Sequence, residues 1–285
     1  MKRPGAVPWL FVVPAAALTL LILLVPSLVG AAYAFTDWDG LTSPSWVGLA
    51  NFTEFFDDGS HVVGQTLILA GLYVVGVNAA GLGLALGLAH TLRTRHVLRA
   101  LFLVPAVVSP LVVAYIWTFI LDVDGPLNEI LEAVGLGSSA QPWLGQRNTA
   151  LAAVAIVMVW QFAGYHMLIY LAGLQGVQRE LLEAAEVDGA GPWRRFADIT
   201  LPLLRPALVI GTVLSTISAF LLFDQVMALT GGGPSGGTDT LGTYVYEQTF
   251  VNGRYGYGSA VALLLVGGVC LAALVQMRLL RGRRS

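Results

Sequence analysis

The chain has 285 residues, of which 56% are hydrophobic and only 11% charged, and its mean hydropathy is +0.75. So little polar surface cannot cover a water-soluble globule of this size, which excludes that class. The net charge of −2 gives no sign of nucleic-acid binding, and the single cysteine, Cys270, excludes a disulfide framework and a cysteine-based metal cluster.

Apolar runs able to cross a bilayer, which takes about 20 residues, recur at about 8–35, 63–89, 98–121, 150–174, 205–229 and 258–277. None shows the ten-residue alternation of a barrel, so the expected architecture is all-α and polytopic, with six transmembrane helices. The first run follows Lys2 and Arg3 and carries no charge until Asp37. Ala32-Tyr33-Ala34 resembles a signal cleavage site, but a signal core is about 7–15 residues long, and this longer run suits a spanning helix. The second run carries Gly71, Gly76, Gly81, Gly83 and Gly87, and the Gly83-xxx-Gly87 pair predicts a close helix approach. Pro105 and Pro110 predict a kink in the third. The fourth holds His166 as a polar residue of the bundle interior, the fifth holds Asp224 and Gln225, and the sixth holds Cys270.

Basic residues fall on alternate loops. Lys2, Arg3, Arg93, Arg95, Arg99, Arg179, Arg194, Arg195, Arg205, Arg278, Arg281, Arg283 and Arg284 share one side, and only Arg147 and Arg254 lie on the other. The second side is acidic, with Asp37, Asp39, Glu54, Asp57, Asp58, Asp122, Asp124, Glu129, Glu132, Asp239 and Glu247. The positive-inside rule then puts both termini in the cytoplasm, as an even number of spans also requires.

Enzyme chemistry finds no support. Lys2 is the only lysine, so there is no Walker A loop and no intramembrane Schiff-base lysine. Gly233-Pro234-Ser235-Gly236-Gly237 fits a G-x-S-x-G elbow, but no strand precedes Ser235, and His61, His90, His96 and His166 all come before it. The histidines are scattered rather than set at metal-ligand spacing; His90 and His96 belong to a basic loop. No metal and no cofactor is expected.

The densest charge lies between runs four and five. Arg179, Glu180, Glu183, Glu186, Asp188, Arg194, Arg195 and Asp198 crowd into 179–198. Residues 179–187 are good helix formers, Asp188-Gly189-Ala190-Gly191 breaks the helix, and Pro192 opens a second short one. Trp193, Phe196 and Thr200 share a side of it, and Leu201-Pro202 with Arg205-Pro206 is expected to turn the chain into the fifth run. A bracket that merely rested on lipid headgroups would be dominated by lysine and arginine. Here acids outnumber bases, so docking to a protein is the better reading.

Glu183-Ala184-Ala185 followed by Asp188-Gly189-Ala190, Phe196, Ile199, Leu201-Pro202 and Pro206 resembles the EAA loop of permease subunits of binding-protein-dependent ABC importers. Thr230-Gly231-Gly232-Gly233-Pro234, then Thr240, Leu241, Tyr244, Tyr246 and Phe250, then Gly256-Tyr257-Gly258-Ser259-Ala260, resembles the carbohydrate-uptake branch, and in particular its first-permease type. Glu247-Gln248-Thr249 departs from that pattern by being more polar than many members, and the short loop between runs one and two lacks the large insertion of the maltose-type permease.

The resemblance implies a type I importer permease fold with a coupling helix between spans four and five, in a bacterial cell membrane. It implies a second homologous permease, two ATP-binding cassette ATPase subunits and an external solute-binding protein as partners, with a sugar or polyol as cargo. ATP hydrolysis would then belong to the separate ATPase subunits. ATPase coupling is assigned to Glu183, Ala184, Ala185, Asp188, Gly189 and Ala190. The expected organisation is 1–62 as N-terminus, first helix and outer loop, 63–277 as permease core with the EAA loop at 179–206, and 278–285 as a basic tail. The alternative, a secondary transporter or channel working alone, would need intramembrane ionisable groups, of which Asp224 is the one clear acid, and often shows two related halves, which are not seen. Asp224, with Gln225, either lines the substrate pathway or makes an interhelical hydrogen bond. With helix continuing from Asp224 to the glycine turn six residues on, it would lie about 9 Å below that turn.

Overall fold

Long apolar sequence folds into helices here because backbone in hydrocarbon must bond to itself. In the computed structural model of the protein, residues 9–89 and 94–281 are described, with side chains from 12 to 279 outside that gap. Expectations resting on Lys2, Arg3, His90, Arg93, Arg283 and Arg284 lie outside the described residues. In chain order, α1 (Trp9–Thr19) and α2 (Val25–Tyr33) join through a π-turn to form the first span, and α3 (Ala50–Glu54) is short. Then come α4 (His61–Ala89), α5 (Arg95–Val107), α6 (Pro110–Ile120), α7 (Pro126–Ala133) and α8 (Arg147–Leu174). The remainder is α9 (Arg179–Val187), α10 (Pro192–Arg195), α11 (Leu201–Phe220), α12 (Asp224–Leu229), α13 (Leu241–Tyr246) and α14 (Tyr255–Arg281). Among the described residues, five helical stretches are long and apolar enough to cross a membrane, and α5 with α6 makes a sixth if that bent pair is one span. Among the described residues the extended backbone pairs at one isolated bridge, Thr36 with Trp46.

Three expectations need correction. The third run is not one kinked helix but two helices bent by 96°. Pro110 opens α6, and the residue before it, Ser109, is pushed to an extended ψ of 135°; Pro105, by contrast, sits inside α5 without ending it. The fifth run does not reach 229 as one helix: α11 ends at Phe220 and α12 starts at Asp224. The helical rise between Asp224 and the glycine turn therefore applies along α12 only. Nor does the chain turn at Leu201-Pro202 or Arg205-Pro206, because helix runs without interruption over Pro192–Phe220. A π-turn at Phe196–Thr200 absorbs the proline: the Leu201 N–H bonds back to Phe196 O, so the ladder has shifted register just before Pro202, which has no N–H to give.

The chain divides into two compact units, 1–60 with 244–266, and 61–243 with 267–285. In the first, the buried Asn51 amide donates to Ala34 O and Thr36 O, both at 2.8 Å, fixing the turn that leaves the first span. Arg254 bonds both carboxylate oxygens of Glu54 at 2.6 and 2.7 Å and lies 4.2 Å from the centre of the Tyr257 ring. In the second unit α8 is the central helix, packed against α4, α5 and α11. In lipid such contacts rest on close packing rather than on escape from water. A Cβ on Gly76 would meet Val159 at 2.7 Å, and one on Gly81 would meet His166 at 2.6 Å, so these two glycines admit α8. Gly83 and Gly87, the expected packing pair, have nothing within 4 Å of such a Cβ.

Candidate functional site

Two places bring chemistry together. The first is the charged bracket between α8 and α11. Its first arm, α9, stops because Gly189 takes a φ of +80°, a left-handed conformation that costs glycine nothing. The Ala190 N–H then reaches Ala185 O at 2.8 Å and the Gly189 N–H reaches Glu186 O at 3.0 Å, the double closure that satisfies the last carbonyls of a helix. Gly191 and Pro192 restart the chain as α10. Across the turn Arg195 pairs with Glu186. The pair is solvent-exposed on the Glu186 side and worth only about 0–1 kcal/mol, so the turn itself sets the angle. Glu183, Ala184, Val187, Asp188 and Gly189 are exposed, Ala185 and Ala190 half-buried. Trp193 is 76% exposed and Val187 87%, which leaves an apolar knob beside acidic side chains at the tip.

The second place lies where two spans break. A pocket of about 410 Å³ is lined by Ser109, Pro110, Leu111 and Tyr115 from the α5–α6 bend and by Phe223, Asp224, Met227 and Ala228 from the α11–α12 break. The freed backbone is satisfied locally. Gln161 of α8, fully buried, donates to Val108 O at 3.1 Å, where α5 ends. Its Oε1 accepts from Gln225 Nε2 at 3.2 Å, and Thr240 Oγ1 donates to Leu222 O at 2.9 Å. Asp224 and Gln225 thus separate. Gln225 is buried and bonded to Gln161, whereas Asp224 is exposed at the pocket and, among the described residues, has no hydrogen-bond or ion-pair partner.

Sequence reasoning singled out Asp224 and Gln225 but passed over Gln161, although a glutamine inside an apolar run is itself a signal, since an unsatisfied amide in hydrocarbon is costly. Asn78, Tyr170 and Ser215, which meet between α4, α8 and α11, were passed over too. His166 is 2% exposed, as expected of an interior residue, with Nδ1 3.2 Å from Phe162 O.

The structure is thus a polytopic helical one with a charged bracket between two spans and a small pocket, carrying one carboxylate, at two helix breaks. Residues 78–285 match the binding-protein-dependent transport system inner membrane components, and the chain belongs to that family. It is 31% identical to the probable starch degradation products transport system permease protein AmyD of Thermoanaerobacterium thermosulfurigenes, over 96% of this chain and 94% of that one. It is 33% identical to the trehalose/maltose transport system permease protein MalF of Thermococcus litoralis, over 99% and 96%. The crystal structure of a bacterial ABC transporter involved in import of the acidic polysaccharide alginate superposes with a TM-score of 0.84 at 23% identity, covering 97% of this chain and 96% of that one. The fold is that of an ABC importer permease.

Proposed function

We propose that this permease carries a neutral sugar or polyol, delivered by an external solute-binding protein, past the Asp224 pocket, and that 179–206 receives motion from an ATPase subunit through Glu183, Ala184, Ala185, Asp188, Gly189 and Ala190. The observation that carries the reading is the bracket: an exposed acidic and apolar tip on a turn of fixed geometry, joined at both ends to spans. Sugar as cargo is supported by the relatives, whose names refer to starch degradation products and to trehalose and maltose. A neutral cargo is supported by the pocket lining, which contains no arginine or lysine. An exposed carboxylate is costly against lipid. Asp224, beside Leu111 and Tyr115, which are 49% and 66% exposed, therefore faces a water-filled path that a second permease closes. Two ATPase subunits complete the assembly, the permease core is 63–277, and the basic loops and both termini lie in the cytoplasm. The test is site-directed cross-linking in the complex co-purified with this chain. Ala184→Cys, in a Cys270→Ser background, should cross-link to the ATPase subunit and not to the external protein; capture by the external protein instead would reverse the orientation and remove the coupling assignment.

A further inference from the structure

We propose that Asn78, Tyr170 and Ser215 are positioning residues that lock α4, α8 and α11 into one body, so that displacement of the bracket reaches the pocket rather than being lost as sliding between helices; this rests on the reading of the bracket as the ATPase-docking element. The bracket hangs from the end of α8 and runs into α11, so a push on it moves both helices. Contacts between apolar helix faces allow small shear displacements, whereas a directed hydrogen bond fixes their register. The three side chains supply such bonds. Tyr170 OH donates to Asn78 Oδ1, and Asn78 Nδ2 donates to Ser215 Oγ at 2.8 Å and to Val74 O at 2.6 Å. Ser215 Oγ in turn donates to Thr212 O at 3.0 Å. Tyr170 and Ser215 are fully buried, and the polar groups of the trio are used. The tyrosine ring lies against bare backbone: a Cβ on Gly211 would meet its Cζ at 2.9 Å.

The same α8 holds Gln161 nine residues earlier, about 13–14 Å along the axis at 1.5 Å per residue. Gln161 grips Val108 O at the α5–α6 bend and Gln225 at the start of α12, the two elements that line the pocket. One helix therefore connects the bracket end of the lock to the pocket end.

The experiment uses the complex co-purified with this chain, in lipid nanodiscs, with Cys270→Ser and a reporter Leu111→Cys in the pocket. Labelling of the reporter by a membrane-impermeant maleimide is compared without nucleotide and with vanadate-trapped ATP. The parent should show a change in rate of fivefold or more. Tyr170→Phe keeps the ring and removes only the hydroxyl; it should reduce that change to under twofold while ATP hydrolysis stays within twofold of the parent. The triple variant Asn78→Leu, Tyr170→Phe, Ser215→Ala leaves none of the trio's polar groups behind unpaired, so it should recover thermal stability without recovering the labelling response. A full response in Tyr170→Phe, a response restored in the triple variant in step with stability, or a parent whose pocket ignores nucleotide would each overturn the lock. The Ala184→Cys cross-link separates the two readings: its absence removes the docking assignment, while the lock is still judged by the labelling of Tyr170→Phe.

Discussion

Gly189 offers a test of the bracket in which strain within the chain is free of steric clash within it. Its φ is +80°, yet a Cβ placed there meets nothing within 4 Å. Within this chain, therefore, any loss on substitution is conformational, and a clash with the docked partner would instead follow side-chain volume. Alanine in the left-handed region costs about 1–2 kcal/mol, and valine, branched at Cβ, about 3. Asparagine enters that region several times more readily than other residues and should cost less than alanine. If docking requires the native turn, these costs pass directly into affinity at about 1.4 kcal/mol per tenfold. Binding of the ATPase subunit to the permease in nanodiscs, followed by titration, should weaken by about 5–30-fold for Gly189→Ala and about 100-fold for Gly189→Val, with Gly189→Asn between wild type and alanine. Uptake should fall in the same order, while capture of cargo by the external protein stays at the wild-type level. Equal affinity across the series, or an order that follows side-chain volume and puts asparagine below alanine, would refute the conformational argument.

The apolar spans and the class of protein were legible in the sequence because hydropathy over 20 or so residues records whether a segment is stable in hydrocarbon, whatever it packs against. The bracket was legible for a local reason: Asp188-Gly189-Ala190-Gly191-Pro192 specifies helix end, left-handed turn and helix start without help from distant residues. The breaks were not. Val108 to Pro110 reads as a kink, but the Val108 O that the 96° bend frees is met by Gln161, fifty-odd residues on, which the local sequence does not reveal. The end of α11 is harder still, since Phe220-Leu221-Leu222-Phe223 has no breaking residue. Helix stops there where Thr240 caps Leu222 O and Gln161 receives Gln225. No turn forms at Leu201-Pro202 because a proline is disruptive only if the ladder stays in α register, and the π-turn at Phe196–Thr200 shifts it just before Pro202. Polar residues in apolar runs, Asn78 and Gln161 among them, marked these long-range contacts but not their partners.

The turn after the first span should respond to acid. Asp39, held by the Thr42 and Leu41 amides and the Thr42 hydroxyl, is pushed down to about 2, and Asp37 is lowered by the Ser45 hydroxyl and amide. Depressed carboxylates stabilise the turn fully above their ordinary range near 4 and lose that contribution as pH falls toward 2. Hydrogen-exchange protection of the Leu41, Thr42 and Ser45 amides, corrected for intrinsic rate, should be flat from pH 7 to about 5 and fall below about 3; loss already at pH 6 would contradict the sign. Asp224 separates pathway from scaffold. It is exposed at the pocket, and among the described residues it has no partner, while its neighbour Gln225 carries the structural bond to Gln161. A carboxylate that hydrogen-bonds cargo hydroxyls loses charge but keeps an acceptor in Asp224→Asn, and loses both in Asp224→Leu. A charge-assisted hydrogen bond is worth about 1.5–3 kcal/mol, so uptake at subsaturating cargo should drop by about 10–100-fold in Asp224→Leu and less in Asp224→Asn. Yield and thermal stability of the complex should hold in both. Assembly that falls in parallel with uptake would make Asp224 a contact with a neighbouring subunit instead, and uptake unchanged in Asp224→Leu would remove it from the pathway.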